Sequence, residues 1–520
     1  MPLTYRIHPA IGIARVGDSP EDFFIGPEAP GVLPTLTRSD APALPAGQKG
    51  KYKDSKSRVK RQGARFRIYE YTSNDAGAAT KVREITAEDA DIEWEVHLAN
   101  RKAASLRFPK GKRRNEGVPE TKLIIDAGAQ KITGRDQAMK RLQGRFMDAI
   151  DVPLGDLLTD SAGRLIVLGG FGKSQPFPAG RDLVHFANND GWCDDISDGP
   201  VRATIRLKGS ADTIEVDSAR VVVAPPDFAP SIENVITLYD VMYANMAKFV
   251  DPSLRVTDAT RVSFTTDIYP ILRRVSKMHW VSDVAAQGHG EGSFGDFASA
   301  VKTLSSNKPA QAPLRTMIFR KLRNPAGGGG NMPKLPEDTN PDVVGQAVTE
   351  VQYARMERWA QGKFEADWPG AEPPPLPFDK LPDSERPKAL DRAALEACVG
   401  GPFFPGIEVG RILLEEATCD KTRPFRVSVH LEPGALTARM AVPWQADFHD
   451  CAFEDGADWW PGQRPIQVMR GDQPAEWMPR RWKRSDLVER WSRLGFVVEK
   501  KAAGKATYVE DERNPESTTT

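Results

Sequence analysis

The sequence predicts an α+β protein: a β-rich amino-terminal region built on an antiparallel sheet or sandwich, followed by a region that mixes helices and strands. Three observations carry this. Strand-like segments recur up to Val223, apolar residues take helical spacing beyond Pro230, and alternation returns at Phe425. At 520 residues the chain also exceeds one ordinary hydrophobic core, so two or three structural units are expected.

The first unit is placed at residues 1–229. Ile11 to Val16 reads as a strand followed by irregular chain, and the polar, Lys/Arg-rich stretch 41–63 as an exposed loop. Strands are then predicted at Phe66 to Tyr71, Ile92 to Leu98, Leu123 to Asp126, Arg164 to Leu168, Val201 to Leu207 and Ile214 to Val223. Ile92, Trp94 and Val96 share one face of their segment, and Pro225-Pro226 suits a strand exit.

A predominantly helical unit with Gly/Pro-rich loops is placed at 230–378. Ile232 to Val250 carries apolar residues near a helical repeat, with Pro230-Ser231 as its cap region. Tyr269 to Val284 supplies a second helix, in which His279 and Trp280 read as packed side chains, and Val344 to Phe364 a third. Pro369 and the prolines from 373 to 377 then form a rigid connection. The mixed region, 379–511, opens with a helix at Lys388 to Cys398, alternates at Phe425 to Val429, and looks helical over 484–498, becoming more extended at Gly495 to Val498, before a flexible tail at 512–520.

Several function classes lack support. Lys plus Arg and Asp plus Glu each number 71, so net charge gives no reason to expect nucleic acid or a membrane surface. No apolar run reaches a membrane span, and the start has no signal core, so a cytoplasmic location is the default; signal-independent export would leave no such trace. Cys193, Cys398, Cys419 and Cys451 form no CxxC pair and the seven histidines no HExxH, so no metal site is expected. Neither the glycines from 327 to 330 nor Gly169-Gly170-Phe171-Gly172-Lys173 completes a phosphate-loop or dinucleotide fingerprint.

The densest reactive set is Trp444-Gln445-Ala446-Asp447-Phe448-His449-Asp450-Cys451, followed by Asp458-Trp459-Trp460-Pro461-Gly462-Gln463-Arg464-Pro465. Carboxylates beside Cys451 disfavour its thiolate, and His449, two residues away, is weak grounds for a Cys-His pair. An indole oxygenated at two adjacent ring carbons becomes an ortho-quinone, to which a cysteine sulfur can bond. Composition by itself favours a packed aromatic loop with surface acids.

This block resembles the lysine epsilon-oxidase and glycine oxidase family, whose cofactor is cysteine tryptophylquinone. The resemblance extends to Ile7 to Gly17, Phe23 to Glu28, Asn189 to Pro200, Gly327 to Pro333, Gln352-Tyr353 with Trp359 to Gly362, and Gly401 to Glu408. These landmarks span nearly the whole chain, and their order is specific where each alone is weak.

The resemblance implies that 379–511 is the catalytic region, that Cys451 forms the thioether, and that Trp459, with Trp460 as the alternative, becomes the quinone. Asp447 matches the acidic position for cofactor formation and proton transfer; four residues from Cys451, it would share a helical face, although this Pro-bounded segment need not be helical. His449 and Asp450 are adjacent alternatives for proton relay or positioning, with structural hydrogen bonding at least as good a reading. Arg464 either steers a substrate carboxylate or, the preferred use, pairs with an acid, and Cys193 reads as structural. The implied activity is oxidative deamination of a primary amine or amino acid, with dioxygen consumed and hydrogen peroxide and ammonia released. A separate flavoprotein is implied for installing the ring oxygens, and a homo-oligomer is compatible. Modification of a peptide or protein amine, or a non-enzymatic binding or scaffold role, are the alternatives.

Overall fold

The computed structural model of the chain describes residues 3–34, 51–73, 79–108, 111–333, 347–400, 409, 412–451, 462–502 and 505–515. Among these, fifteen strands form one sheet system. Its main path runs Lys140–Phe146, Ile150–Thr159, Leu165–Gly169, Arg61–Ser73, Ile11–Arg15, Ala219–Ala224, Ser197–Leu207, Ala90–Val96 and Gln130–Thr133.

Pairing is antiparallel except where Ile11–Arg15 meets Ala219–Ala224 and where Phe23–Ile25 meets the start of Arg61–Ser73. The thirteen-residue strand Arg61–Ser73 links two parts of the system. Its first half pairs with Leu165–Leu168, and its second half is flanked by Leu3–His8 and Ala79–Ile85. Trp94, Val96, Val201, Val221 and Val223, all buried, place the β-branched and aromatic faces of these strands in the main core. A second core gathers Phe264, Ile268, Leu304, Met356 and Trp359 from helices of the 262–364 stretch.

The helices depart from the sequence expectation mainly at their starts. The helix expected from Ile232 begins at Leu238, because Thr237 and Asp240 form a capping box that satisfies the first amides; Pro230-Ser231 is not its cap. The third begins at Glu350 behind a Thr349–Gln352 capping box. The Tyr269 segment breaks into Tyr269–Lys277, a short 3-10 turn and Asp283–His289, where Ser282 caps the new start. No strand forms at Phe425 to Val429: Phe425 takes φ +57°, and only an isolated bridge joins Cys419 to Val427.

Two surface assignments are also corrected. Tyr52 and Lys53 are buried, and their backbone amides donate to Glu512, so 51–53 and 512–514 hold each other instead of forming an exposed loop and a frayed tail. Residues 41–50 and 516–520 lie outside the described residues. The strands at Lys140–Phe146 and Ile150–Thr159 were not anticipated. No helix among the described residues is long and apolar enough to cross a membrane.

The sheet is joined to the carboxy-terminal region at Asp198, which is fully buried. Its carboxylate accepts from Arg220 Nε at 2.9 Å and from the amide and hydroxyl of Thr437, both at 2.8 Å, while its carbonyl accepts from Gly434 N–H at 2.9 Å. Asp198→Ala leaves a buried guanidinium without its carboxylate, so a loss of about 3–5 kcal/mol is expected in urea unfolding. A loss under about 1 kcal/mol would show that this junction is not an important tie.

Candidate active site

The chain enters the site beside the 187–189 segment, which lies outside the sheet. Val442 donates its amide to Ala187 at 3.1 Å, and its carbonyl accepts from the Asn189 side chain at 3.0 Å. After Pro443 comes the helix Trp444–Asp450, whose first five residues are buried. Pro443 offers no side-chain cap. Instead, Trp444 N–H donates to Asp194 Oδ2 at 3.0 Å, so a carboxylate from the sheet region stands where a capping side chain usually does.

Asp194 is itself fully buried and is paired with Lys102, Nζ to Oδ2 at 2.5 Å, both side chains being 0% exposed. Asn100 Nδ2 donates to Asp194 Oδ1 at 3.1 Å. Burial lowers the Lys102 ammonium from its ordinary value, against the pull of Asp194. The helix is fixed sideways as well. Gln445 donates to the Gly172 carbonyl at 3.1 Å and accepts from Ser174 Oγ at 2.7 Å, and the Trp444 ring lies edge-on to Phe448 and Trp491. Gly172, at φ +68°, has to be glycine: a Cβ there would sit 2.2 Å from the Trp491 ring.

One turn along this helix, Asp447 and Cys451 meet. The Cys451 thiol donates to Asp447 Oδ1 at 3.6 Å, and the Cys451 amide to the Asp447 carbonyl at 3.1 Å. Asp447 is 2% exposed, and among the described residues its Oδ2 has no hydrogen-bond partner. Burial pushes its carboxyl up to about 7; Arg464 and the Cys451 thiol oppose this, Asp450 adds to it, and Lys102 opposes it more weakly. Arg464 is completely buried, and its Nη2 donates to the Cys451 carbonyl at 2.7 Å. It thus holds the end of the helix while biasing Asp447 toward ionisation.

His449 and Asp450 face away from this pair into a separate network. His449 bridges Asp450 Oδ1, at 2.8 Å, and the Trp482 carbonyl, at 2.7 Å; Arg484 clasps Asp450 through Nε and Nη2 at 2.6–3.0 Å. Burial would raise the Asp450 carboxyl, but the hydrogen bonds from His449 and Arg484 outweigh it and hold it below its ordinary value. Trp459 and Trp460 lie outside the described residues, as do Gly401 to Glu408. Cys193 is buried, with Sγ 3.5 Å from the Gln175 carbonyl, which fits a structural residue.

Lys102, Asp194 and Ser174 are parts of the site's wall that the sequence pattern does not single out, and the Asn189 to Pro200 segment stands in the sequence only as a landmark. Its run of acids inside buried strand was the available signal, since a buried carboxylate needs a partner.

Comparison with known proteins bears on what this arrangement is. The family model described as L-lysine epsilon oxidase N-terminal matches residues 8–223, and that of the L-lysine epsilon oxidase C-terminal domain matches residues 330–470. The second match contains Asp447, Cys451, Trp459, Trp460 and Arg464, and stops short of Trp477, Trp482 and Trp491. The L-lysine 6-oxidase of Marinomonas mediterranea is 28% identical over 553 residues, covering 87% of this chain and 72% of that protein. The crystal structure of the Schiff base intermediate of the L-Lys epsilon-oxidase from the same organism with L-Lys shares the fold, with a TM-score of 0.77 at 22% identity, over 98% of this chain and 95% of that one. A second structure of that oxidase gives the same figures.

The buried acid has a consequence for stability that needs no cofactor. With its folded value raised to about 7, Asp447 keeps its proton in the folded protein at pH values where the unfolded chain has lost it. Stability therefore falls as pH rises from the ordinary carboxylate range to about 7, and levels off above. In the unmodified chain, Asp447→Asn is expected to remove this slope, so that between about pH 5 and 7 it loses roughly 2 kcal/mol less stability than the parent. Parallel stability curves for the two proteins would show that Asp447 ionises normally.

Proposed function

The chain belongs to the L-lysine epsilon-oxidase family, and we propose that it is a quinoprotein oxidase that deaminates a primary amine or amino acid with dioxygen, releasing hydrogen peroxide and ammonia. The observation that carries this reading is the Asp447–Cys451 pair: a buried carboxyl raised to about 7, with one oxygen on the thiol and the other uncommitted among the described residues.

The residues present fit cysteine tryptophylquinone. We assign the thioether to Cys451 and the quinone to Trp459, with Trp460 as the alternative. Elsewhere in this region, Trp477 and Trp491 donate their indole N–H groups to the Gly495 and Gly172 carbonyls, and the Trp444 ring is packed against Phe448. Such a quinone supplies an electrophilic carbonyl and accepts two electrons from the amine.

Within this reading, Asp447 Oδ2 takes the proton from the carbon that bears the amine. A base whose carboxyl titrates near 7 is matched to that task, being half ionised at neutral pH and more basic than an exposed aspartate. Arg464 keeps Cys451 in place through its carbonyl and balances the charge that forms on Asp447. With Nη2 on that carbonyl, its described role is inside the site's frame. The packed rings of Trp444, Phe448 and Trp491 exclude water from one side of the helix. His449 and Asp450, tied to Trp482 and Arg484, are assigned to holding the helix and not to proton relay. A separate flavoprotein belongs to this reading, because oxygenating an indole ring needs an oxidising partner outside this chain.

Protein matured in its native host is expected to produce hydrogen peroxide and ammonia in equal amounts from at least one primary amine. Quinone-loaded protein that oxidises no primary amine would overturn the oxidase reading. Asp447→Asn, once its quinone content is verified, is expected to slow substrate proton abstraction by about 10²–10⁴-fold. A loaded variant that abstracts the proton at the parent rate would remove Asp447 from the role of base.

A further inference from the structure

Among the buried ion pairs without a part in the chemistry above, Lys102–Asp194 touches the helix that carries Asp447. Lys102 and Asp194 are both 0% exposed, an arrangement in which each ion loses its hydration before their attraction is counted. A well-packed apolar pair would commonly serve the fold as well, so stability alone is a weak reason for its presence. Its placement is specific. Asp194 Oδ2 receives both Lys102 Nζ, at 2.5 Å, and the Trp444 amide, at 3.0 Å, so the ammonium is coupled through one oxygen to the first residue of the helix that carries Asp447.

The charged and titratable groups that face Asp447 come from three directions. Asp450 and Cys451 lie at the end of its own helix, Arg464 follows from the segment after Gly462, and Lys102, the weakest of these influences, acts from across Asp194. Lys102 and Asp194 in turn face Asp195, whose carboxyl burial raises to about 7. Arg464 is already committed to the Cys451 carbonyl, and Asp450 is neutralised by Arg484. Around Lys102, the buried Arg114 donates to the Lys102 carbonyl at 2.9 Å and to the Met440 carbonyl at 3.0 Å, which anchors the 102 backbone to the chain entering the site. The geometry is therefore that of a buried cation tied, through one carboxylate oxygen, to the start of the helix.

We propose that Lys102 is a positioning residue for Asp447: through Asp194 it sets the start of the catalytic helix, and its ammonium supplies, with Arg464, the positive potential that lets Asp447 accept a proton at neutral pH. This rests on Asp447 acting as the base. It also gives the Asn189 to Pro200 segment a task. Asn189 holds the Val442 carbonyl, Asp194 the Trp444 amide and Asp198 the Thr437 amide, so three side chains of one segment shape the approach to the site.

The test is the pH dependence of substrate reduction in single turnover, with the quinone content of each protein measured first. Lys102→Met is expected to move the acidic limb upward by about half a pH unit or more, making reduction roughly threefold slower below the limb, while the rate on the alkaline plateau stays at the parent value. If Lys102→Met does not fold, Lys102→Gln, which removes the charge but can still donate to Asp194, is expected to show the same upward move. A loaded variant with an unmoved limb, whether its plateau rate or melting temperature falls or not, would overturn the inference and leave the oxidase reading standing. A parent that carries no quinone would instead sink the oxidase reading, and this inference with it.

Discussion

Asp194 accepts two hydrogen bonds on one buried oxygen, from the Lys102 ammonium and from the first amide of the helix Trp444–Asp450. A helix of seven residues is too short to persist unaided, since nucleation fixes several residues for the first bond and few follow. What holds it is context: a carboxylate on its first amide, Gln445 locked to Gly172 and Ser174, Arg464 on the carbonyl just past its last turn. The position of Asp447 against Cys451 is set by those anchors and not by helix propensity.

The same burial that fixes the helix gives the acid its character. An aspartate taken out of water favours its neutral form, and the opposing pull of Arg464, the Cys451 thiol and, more weakly, Lys102 does not outweigh that; the result is a carboxyl near neutrality. The site thereby gives up stability, because a less basic and better solvated aspartate would make the folded state more stable at neutral pH. Perturbed acids of this kind are found where proton transfer is performed. Asp450, three residues further on, shows the contrast: with His449 and Arg484 in hydrogen-bonding reach, it is held below its ordinary value.

Strands were the more legible part of the fold. Ile92, Trp94 and Val96 alternate in sequence and are buried together, because period-two patterning follows directly from a sheet with one covered face. Helix starts were less so. Apolar spacing from Ile232 pointed to a helix, but spacing does not show where backbone amides are satisfied, and the Thr237–Asp240 box decides the start. Phe425 to Val429 alternates without forming a strand, since alternation needs a partner edge and the chain turns there. At the site, the block of Asp447 and Cys451 was legible because its residue types are unusual together. Lys102 and Asp194 were not, because they lie some 250–350 residues away in sequence and only the fold brings them to Trp444.

The central claim is that Cys451 and a neighbouring tryptophan become one cofactor. Peptide mass spectrometry on protein matured in its native host tests it most directly. The predicted result is a cross-linked peptide joining Cys451 to Trp459, with two oxygens added to the indole ring. An unlinked Cys451 thiol, together with unmodified Trp459 and Trp460 in that same mature protein, would contradict the account.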